Sequence, residues 1–247
     1  HHLSRLLAEE VDGHPEILSR LVCVYLVGSR LPLHTLRAKG TLVRSFREST
    51  GPTDHVGLGD GRAVVCGWDT LGEWFGCVLP QLEVFAGGLP TFPGLWQRGA
   101  WRDTVLPVDI LSTNPLSWRP SSDHQRVSGA SSSWLGSIMT VNNLGKRQAS
   151  TVELVGGQAV GLETVALKKN TETLSAANFW AQSQEYGLVV PTLPLRNEIL
   201  GCTMRGGWYH CVDFSLFWFN IRANVAERVA AYLAHSKQEV SDIVQRH

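Results

Sequence analysis

Indole rings set the first constraint on this chain. Nine tryptophans occur in 247 residues: Trp68, Trp74, Trp96, Trp101, Trp118, Trp134, Trp180, Trp208 and Trp218. Most fall in a central stretch broken by glycine and proline. An indole is rarely hidden completely, and its N–H needs an acceptor when it is. A fold that holds so many must offer broad packed surfaces, within the chain or against other chains. No recognisable catalytic motif accompanies the rings.

Charge points the same way. Basic and acidic residues balance at 22 each, and only 18 % of residues are charged, against about a quarter in ordinary soluble domains. A sparsely charged surface suits a subunit covered by neighbours better than a solitary soluble protein. Arginine outnumbers lysine, whose members are Lys39, Lys146, Lys168, Lys169 and Lys237. Arginine is favoured at interfaces because its planar head makes several directed hydrogen bonds; composition bias in the encoding genome gives the same excess. The apolar fraction of 43 % supports a sizeable core and excludes a disordered chain.

Cys23, Cys66, Cys77, Cys202 and Cys211 form no C-x-x-C pair and sit mostly in apolar runs. They read as buried, reduced thiols rather than a disulfide framework or zinc site. No apolar run reaches the length of a membrane span. The sequence begins His1-His2-Leu3 and ends Gln245-Arg246-His247, which leaves open a tag remnant or a piece of a longer polypeptide.

The expected fold class is α+β: one domain over 1–247, with a helical arm over 1–30, a strand-rich region over 31–170 and a helix-rich region over 171–247. Leu3, Leu6, Leu7 and Val11 recur at helical spacing. Pro15 opens a second expected helix carrying Ile17, Leu18, Leu21, Val22, Tyr25 and Leu26, with Gly28 as its stop. Asp60-Gly61 predicts a tight hairpin between Val56–Leu58 and Ala63–Cys66. A short strand is expected near 105–111, a Ser-rich loop over 121–133, and strands over 137–141, 151–155 and 160–167, the last two joined by Gly156-Gly157. Leu174, Ala177, Phe179, Trp180 and Tyr186 fit a helical surface capped by Gly187. The dense run Tyr209–Phe219 reads as a buried strand or as the start of a buried helix. The final helix is expected to be capped by Asn220 and to bury Ile221, Val225, Val229, Tyr232 and Leu233, with Ser236 and Glu239 boxing a further helix. Neither an internal repeat nor a clean βαβ alternation is present.

Chemical motifs are weak. Gly57-Leu-Gly-Asp-Gly61 misses the dinucleotide spacing by one residue and is better read as a turn. His210 and Cys211, adjacent on an extended strand, would point to opposite faces. Asp54-His55 and Asp123-His124, with Ser121, Ser122 and Ser131 to Ser133 nearby, supply the residue types of a hydrolase without its nucleophile elbow. The nine histidines lack metal-ligand spacing. Arg37, Lys39, Arg44 and Arg47 form a modest basic cluster able to touch RNA phosphates without sequence preference; Lys146-Arg147 and Lys168-Lys169 form two others, and an exposed solvated face is the competing reading for each.

This combination of low charge, many Trp and Arg residues, Gly/Pro-interrupted segments and reduced cysteines resembles, in general texture, the capsid proteins of totivirus-like double-stranded RNA viruses. The resemblance implies an irregular α+β plate that tiles a closed shell. Those proteins are typically much longer, which would make this chain a fragment, a cleavage product or a shortened relative. No residue role is carried over from them. The implied partners are copies of the chain or sister capsid chains, with genomic RNA as a non-specific contact, in a virion assembled in the host cytoplasm. No membrane partner, cofactor, metal or enzymatic activity is expected. Trp96, Trp101 and Trp118 are the expected interface anchors, with ordinary core packing the competing reading. The alternative function is a hydrolase with an unrecognised Ser/His/Asp site.

Overall fold

The structure is a computed structural model. It describes residues 3, 6–33, 36, 45–56, 62–73, 90–97, 100–105, 109–129, 152–155, 158–161, 179–191, 209 and 213–246, with only the backbone described within 90–105 and 152–161. Helices and strands combine in mixed sheets, the expected α+β class.

A three-stranded parallel sheet lies at the centre. Its strands are β1 (Cys23–Val27), β2 (Phe46–Glu48) and β3 (Ala63–Trp68), in the order β1-β3-β2. All six residues of β3 are buried. That is the behaviour of a strand covered on both faces, and it explains why Ala63-Val-Val-Cys-Gly-Trp68 reads as a continuous apolar run. Pleating sends alternate residues of β1 and β3 into two different cores. Cys66 and Trp68, with Cys23, Tyr25 and Val27 beside them, face one core together with Trp118, Phe179, Leu188, Phe217 and Ile221. Ala63 and Val65, with Val24 and Leu26, face the other, with Leu7, Leu31, Phe46 and Leu111.

After Trp68 the chain passes through Asp69 into β4 (Thr70–Gly72), the edge of a second sheet. This sheet contains β7 (Val127–Ser128), β10 (Trp180–Gln184) and β11 (Gly187–Val190), ordered β4-β11-β10-β7. β11 runs parallel to β4 and antiparallel to β10. Among the described residues two further antiparallel pairs occur: β5 (Pro90–Gln97) with β6 (Ala100–Val105), and β8 (Val152–Val155) with β9 (Gln158–Gly161). The register Val155↔Gln158 matches the hairpin expected at Gly156-Gly157. The helical elements among the described residues include a π-helical segment Leu7–Val11, α1 (Pro15–Leu18), α2 (Asp213–Leu216) and the 29-residue α3 (Trp218–Arg246).

Several expectations are corrected. The second helix of the N-terminal arm ends at Leu18, and Cys23–Val27 is a strand. A seven-residue apolar run satisfies helical and buried-strand patterns alike, and pairing with β3 decides. Gly28, expected to stop that helix, instead follows the strand, at φ 67°. Ala63–Trp68 is not the second arm of a tight hairpin, because both its edges are taken by parallel partners; Gly57–Gly61 themselves lie outside the described residues. Ile110 makes an isolated bridge to Pro32 rather than belonging to a strand over 105–111. Of the loop expected over 121–133, residues 127–128 pair as β7. Phe179–Tyr186 is not helical: β10 and β11 form a hairpin, and Gly187 begins a strand instead of capping a helix. Tyr209–Phe219 resolves into helix from Asp213 onward. Asn220 is a buried interior residue of α3, and Ser236 returns its hydroxyl hydrogen bond to Tyr232 O (3.0 Å), so the helix continues through the expected boundary. The strand expected over 137–141 lies outside the described residues, as do Leu174 and Ala177.

Trp68, Trp118 and Phe217 meet edge to face, with ring centroids 6.0 and 5.8 Å from Trp68. Trp118 is therefore no exposed anchor. It is buried in the chain's own core, held at φ 58° by a turn in which Asn114 O accepts from Trp118 N (2.6 Å) and Asn114 Oδ1 accepts from Leu116 N (3.0 Å).

The junction at Asp69 is tight. Gly187 has φ 148°, and a Cβ there would lie 2.6 Å from Asp69 O. Gly187→Ala is expected to cost about 2 kcal/mol or more in urea unfolding. Gly51→Ala, where a Cβ meets nothing within 4 Å, is expected to be close to neutral. Equal effects would show that the junction is not constrained as described.

Candidate functional site

Three features bear on function: a buried arginine centre under α3, a buried carboxylate pair at Asp69, and the outward face of α3.

The arginine centre is assembled from three elements. The parallel register places Tyr25 opposite Cys66 and Cys23 opposite Val64. The loop Ser49–Asp54 is closed by Asp54, whose Oδ2 accepts from Thr50 N (2.9 Å) and Thr50 Oγ1 (3.0 Å). Arg47 also donates to both Asp54 carboxylate oxygens. Above them lies α3. Arg228 is fully buried. Its Nε donates to Asn224 Oδ1 (2.7 Å), its Nη1 to Asp54 O, and its Nη2 to Ser49 Oγ (2.8 Å), Gly51 O (2.8 Å) and Cys66 Sγ (3.4 Å). Asn224 is equally engaged: its Oδ1 accepts from Tyr25 Oη (2.7 Å) and its Nδ2 donates to Pro52 O (2.8 Å). Burial raises the Tyr25 phenol far above its ordinary value, keeping it a neutral donor.

The carboxylate pair sits where β3 becomes β4. Arg30 Nε donates to Asp69 Oδ2 at 2.6 Å, and both side chains are buried. Asp213, at the start of α2, accepts from Thr70 N through Oδ1 (2.8 Å). Burial first, and then the charge of Asp69 beside it, push the Asp213 carboxyl well above the usual range. The protonated form of Asp213 is thereby favoured beside the Asp69 carboxylate, which Arg30 pairs.

The outward face of α3 is apolar. Ile221, Asn224 and Arg228 are buried, whereas Val225, Val229, Leu233, Val240, Ile243 and Val244 are 38–70 % exposed. The expected stripe is thus corrected at Val225, Val229 and Leu233, whereas Ile221 is buried and Tyr232 packs against the N-terminal core, its Oη donating to Ser19 O (2.8 Å). The helix turns its polar Asn224 and Arg228 inward, because the Ser49–Asp54 carbonyls and Tyr25 satisfy them, and leaves most of its aliphatic face uncovered.

The remaining expected residues fall as follows. Trp96 and Trp101 face each other in backbone register across β5 and β6; their side chains lie outside the description. Arg37, Lys39 and Arg44 lie outside the described residues, as do Lys146-Arg147, Lys168-Lys169, His210 and Cys211. Arg47 is corrected: its guanidinium is largely buried against Asp54 rather than presented to phosphate. That pairing holds Asp54 below its ordinary value against the opposing effect of burial. The hydrolase residue types are not brought together. His55 Nδ1 donates to Thr53 O (2.8 Å), His124 Nδ1 donates to Ser183 O (3.0 Å), Asp123 pairs with Arg119 and Ser121 Oγ accepts from Ser112 N. Among the described residues no group of three or more metal-ligating side chains forms, and no helix is long and apolar enough to cross a membrane.

Asp213 gives a pH prediction. Its native pKa is raised, so its contribution to stability is fully present below the unfolded value of about 4 and is lost as pH rises through the native value. Asp213→Asn keeps the acceptor for Thr70 N and offers Asp69 a permanent donor. It is expected to match wild type near pH 3 and to gain roughly 1 kcal/mol near pH 7, a rise of ~2–4 °C in Tm. A gain of the same size at both pH values would refute the raised Asp213 carboxyl.

Comparisons with protein-family models, with curated proteins and with solved structures find no match for this chain.

Proposed function

We propose that the chain is a structural subunit of a symmetric assembly, built from copies of itself that meet through the outward face of α3. The uncovered aliphatic stripe carries this reading. From Val225 to Val244 it runs about 30 Å along the helix at 1.5 Å per residue. Val229, Leu233, Ser236, Val240 and Ile243 alternate four and three residues apart, the spacing of a helix-pairing seam. Beyond Arg228 none of the described residues of α3 is buried, and a helix in water is marginal without packing against its amphipathic face.

Six aliphatic side chains at roughly 80 Å² each contribute ~500 Å² per copy, much of the ~800 Å² a side found in specific interfaces. Lys237, Glu227, Glu239 and Asp242 mix signs around the stripe. That favours a protein helix over an anionic lipid surface, which selects basic flanks. In the finer form of this reading the assembly is a viral shell of the totivirus-like kind. RNA contact then falls to Arg37, Lys39 and Arg44, without Arg47.

The test is sedimentation velocity with electron microscopy of the purified chain. Wild type is expected as oligomers or particles that grow with concentration. Leu233→Glu with Val240→Glu, both at exposed positions, should keep the far-ultraviolet spectrum and lower the assembled fraction at least tenfold. A wild-type chain that stays monomeric at high concentration overturns the proposal. Assembly that is indifferent to the double substitution moves the contact off α3.

A further inference from the structure

The outward stripe of α3 does not stop at its aliphatic residues. Beside its N-terminal end Phe214 is 51 % exposed, and its ring meets Trp218 with centroids 4.8 Å apart. The exposed Arg222 guanidinium lies over the same indole, 6.0 Å from its centroid. Among the described residues no carboxylate of the chain pairs with Arg222. Trp218, Arg222, Val225, Val229, Leu233 and Ser236 follow one another at steps of four or three residues. The same steps lead on to Val240 and Ile243, so the aromatic end and the aliphatic end share one face.

The two ends differ in what lies behind them. Tyr232 Oη donates to Ser19 O (2.8 Å), and the His235 ring meets His55 with centroids 5.6 Å apart. Past that point the attachment ceases. Among the described residues no hydrogen bond, ion pair or ring contact joins residues 236–246 to any element other than α3 itself. This part of the helix is an arm, and its Val240, Ile243 and Val244 are 59–70 % exposed.

We propose that two copies of α3 pair antiparallel about a two-fold axis beside Ala231, so that the arm 236–246 of each chain covers Trp218, Arg222 and Val225 of the other. This rests on the α3 contact proposed above and adds its direction and register. Ala231 is midway between Trp218 and Val244, the two ends of the stripe. Val229 then meets the partner's Leu233, Trp218 comes level with the partner's Val244, and Arg222 with the partner's Val240. The partner's Glu239 adjoins that valine and brings a carboxylate to a guanidinium that lacks one. In its own chain Glu239 Oε2 is 3.8 Å from His235 Nδ1 and its side chain is 64 % exposed, open to a second cation.

A parallel pairing would set each seam residue against its own copy. Arg222 would face the partner's Arg222, and Glu239 would be level with the partner's Glu239, like charges that oppose association. Indole would also meet indole at one end and valine meet valine at the other. Helix separation follows the side chains at the contact, so such a pair would splay. Antiparallel pairing sets large against small at both ends and keeps the separation even. Ala226 and Ala230 lie near the crossing, where small side chains let the backbones approach. The contact is isologous and closes at two copies, so growth beyond the pair needs a second surface.

Cross-linking of the purified chain reads the direction. In the antiparallel register Ala226 is level with the partner's Ser236, whereas in a parallel pair Ser236 is level with the partner's Ser236. Chains carrying Ala226→Cys would be mixed with chains carrying Ser236→Cys under mild oxidation, and the disulfides located by peptide mass mapping. Links between 226 and 236 are expected at least tenfold over links between 236 and 236. Charge gives an independent reading. Arg222→Glu should weaken self-association at least tenfold in sedimentation velocity, and adding Glu239→Arg to the same chain should restore it to within about threefold of wild type. A chain that self-associates but yields mainly 236–236 links, yields neither link, or is not rescued by the second charge overturns the antiparallel pairing without touching self-association. A chain that stays monomeric at high concentration overturns both readings.

Discussion

Burial of β3 on both faces is the constraint from which the rest of the architecture follows. With β1 on one edge and β2 along Ala63–Val65 on the other, the strand is buried throughout. Ala63 and Val65 pack in the core with the N-terminal segment, and Cys66 and Trp68 in the core with Phe217 and Ile221. Gly67 lets Leu111 and Leu26 close against the strand, since a Cβ there would lie 2.8 Å from Leu111 Cδ2. The strand then runs directly into Asp69, so the two sheets are held together at the point where the chain leaves one for the other.

Charges are placed where this core would otherwise come apart. Arg30 pairs with Asp69 at the sheet junction, and Asp213 accepts from Thr70 N there, tying the junction to the start of the C-terminal helices. Arg47 with Asp54 closes the loop that receives α3, and Arg228 reaches from α3 into that loop and onto β3. Buried ion pairs contribute little net stability against apolar substitutes, yet breaking one leaves an uncompensated charge at a cost of about 3–5 kcal/mol. They fix which surfaces meet more than they add to the total. In α3 that choice has a visible consequence. Inward aim of Asn224 and Arg228 turns the aliphatic stripe outward, and the same rotation that builds the arginine centre exposes the face proposed for assembly.

Part of this was legible in the sequence. The mixed class, the β8–β9 pairing and the C-terminal helix all follow from local pattern and turn chemistry. Misreadings came where one pattern served two structures. Leu21–Val27 satisfies helical spacing and a buried parallel strand equally, and Phe179–Tyr186 offers large apolar residues that suit either a helix face or a hairpin. The stripe of α3 was found as a stripe but assigned to the wrong environment, because periodicity locates an apolar face without saying what it meets. Of the site residues, Trp118 went to the core and Arg47 to Asp54 for a shared reason: residue type gives capability, and the partner gives the role.

Composition and short-range periodicity act through neighbours along the backbone, and they suffice for a sparsely charged, tryptophan-rich α+β chain in which Cys23 and Cys66 are free. Long-range packing brings Cys23, Cys66 and Arg228 into one centre, sets Asp213 beside Asp69 at the sheet junction, and selects which side of α3 is left uncovered. Those pairings join residues 43 to 162 positions apart, and separations of that size leave no trace in local spacing. They arise from strand register and helix rotation, which the packing of the whole chain sets.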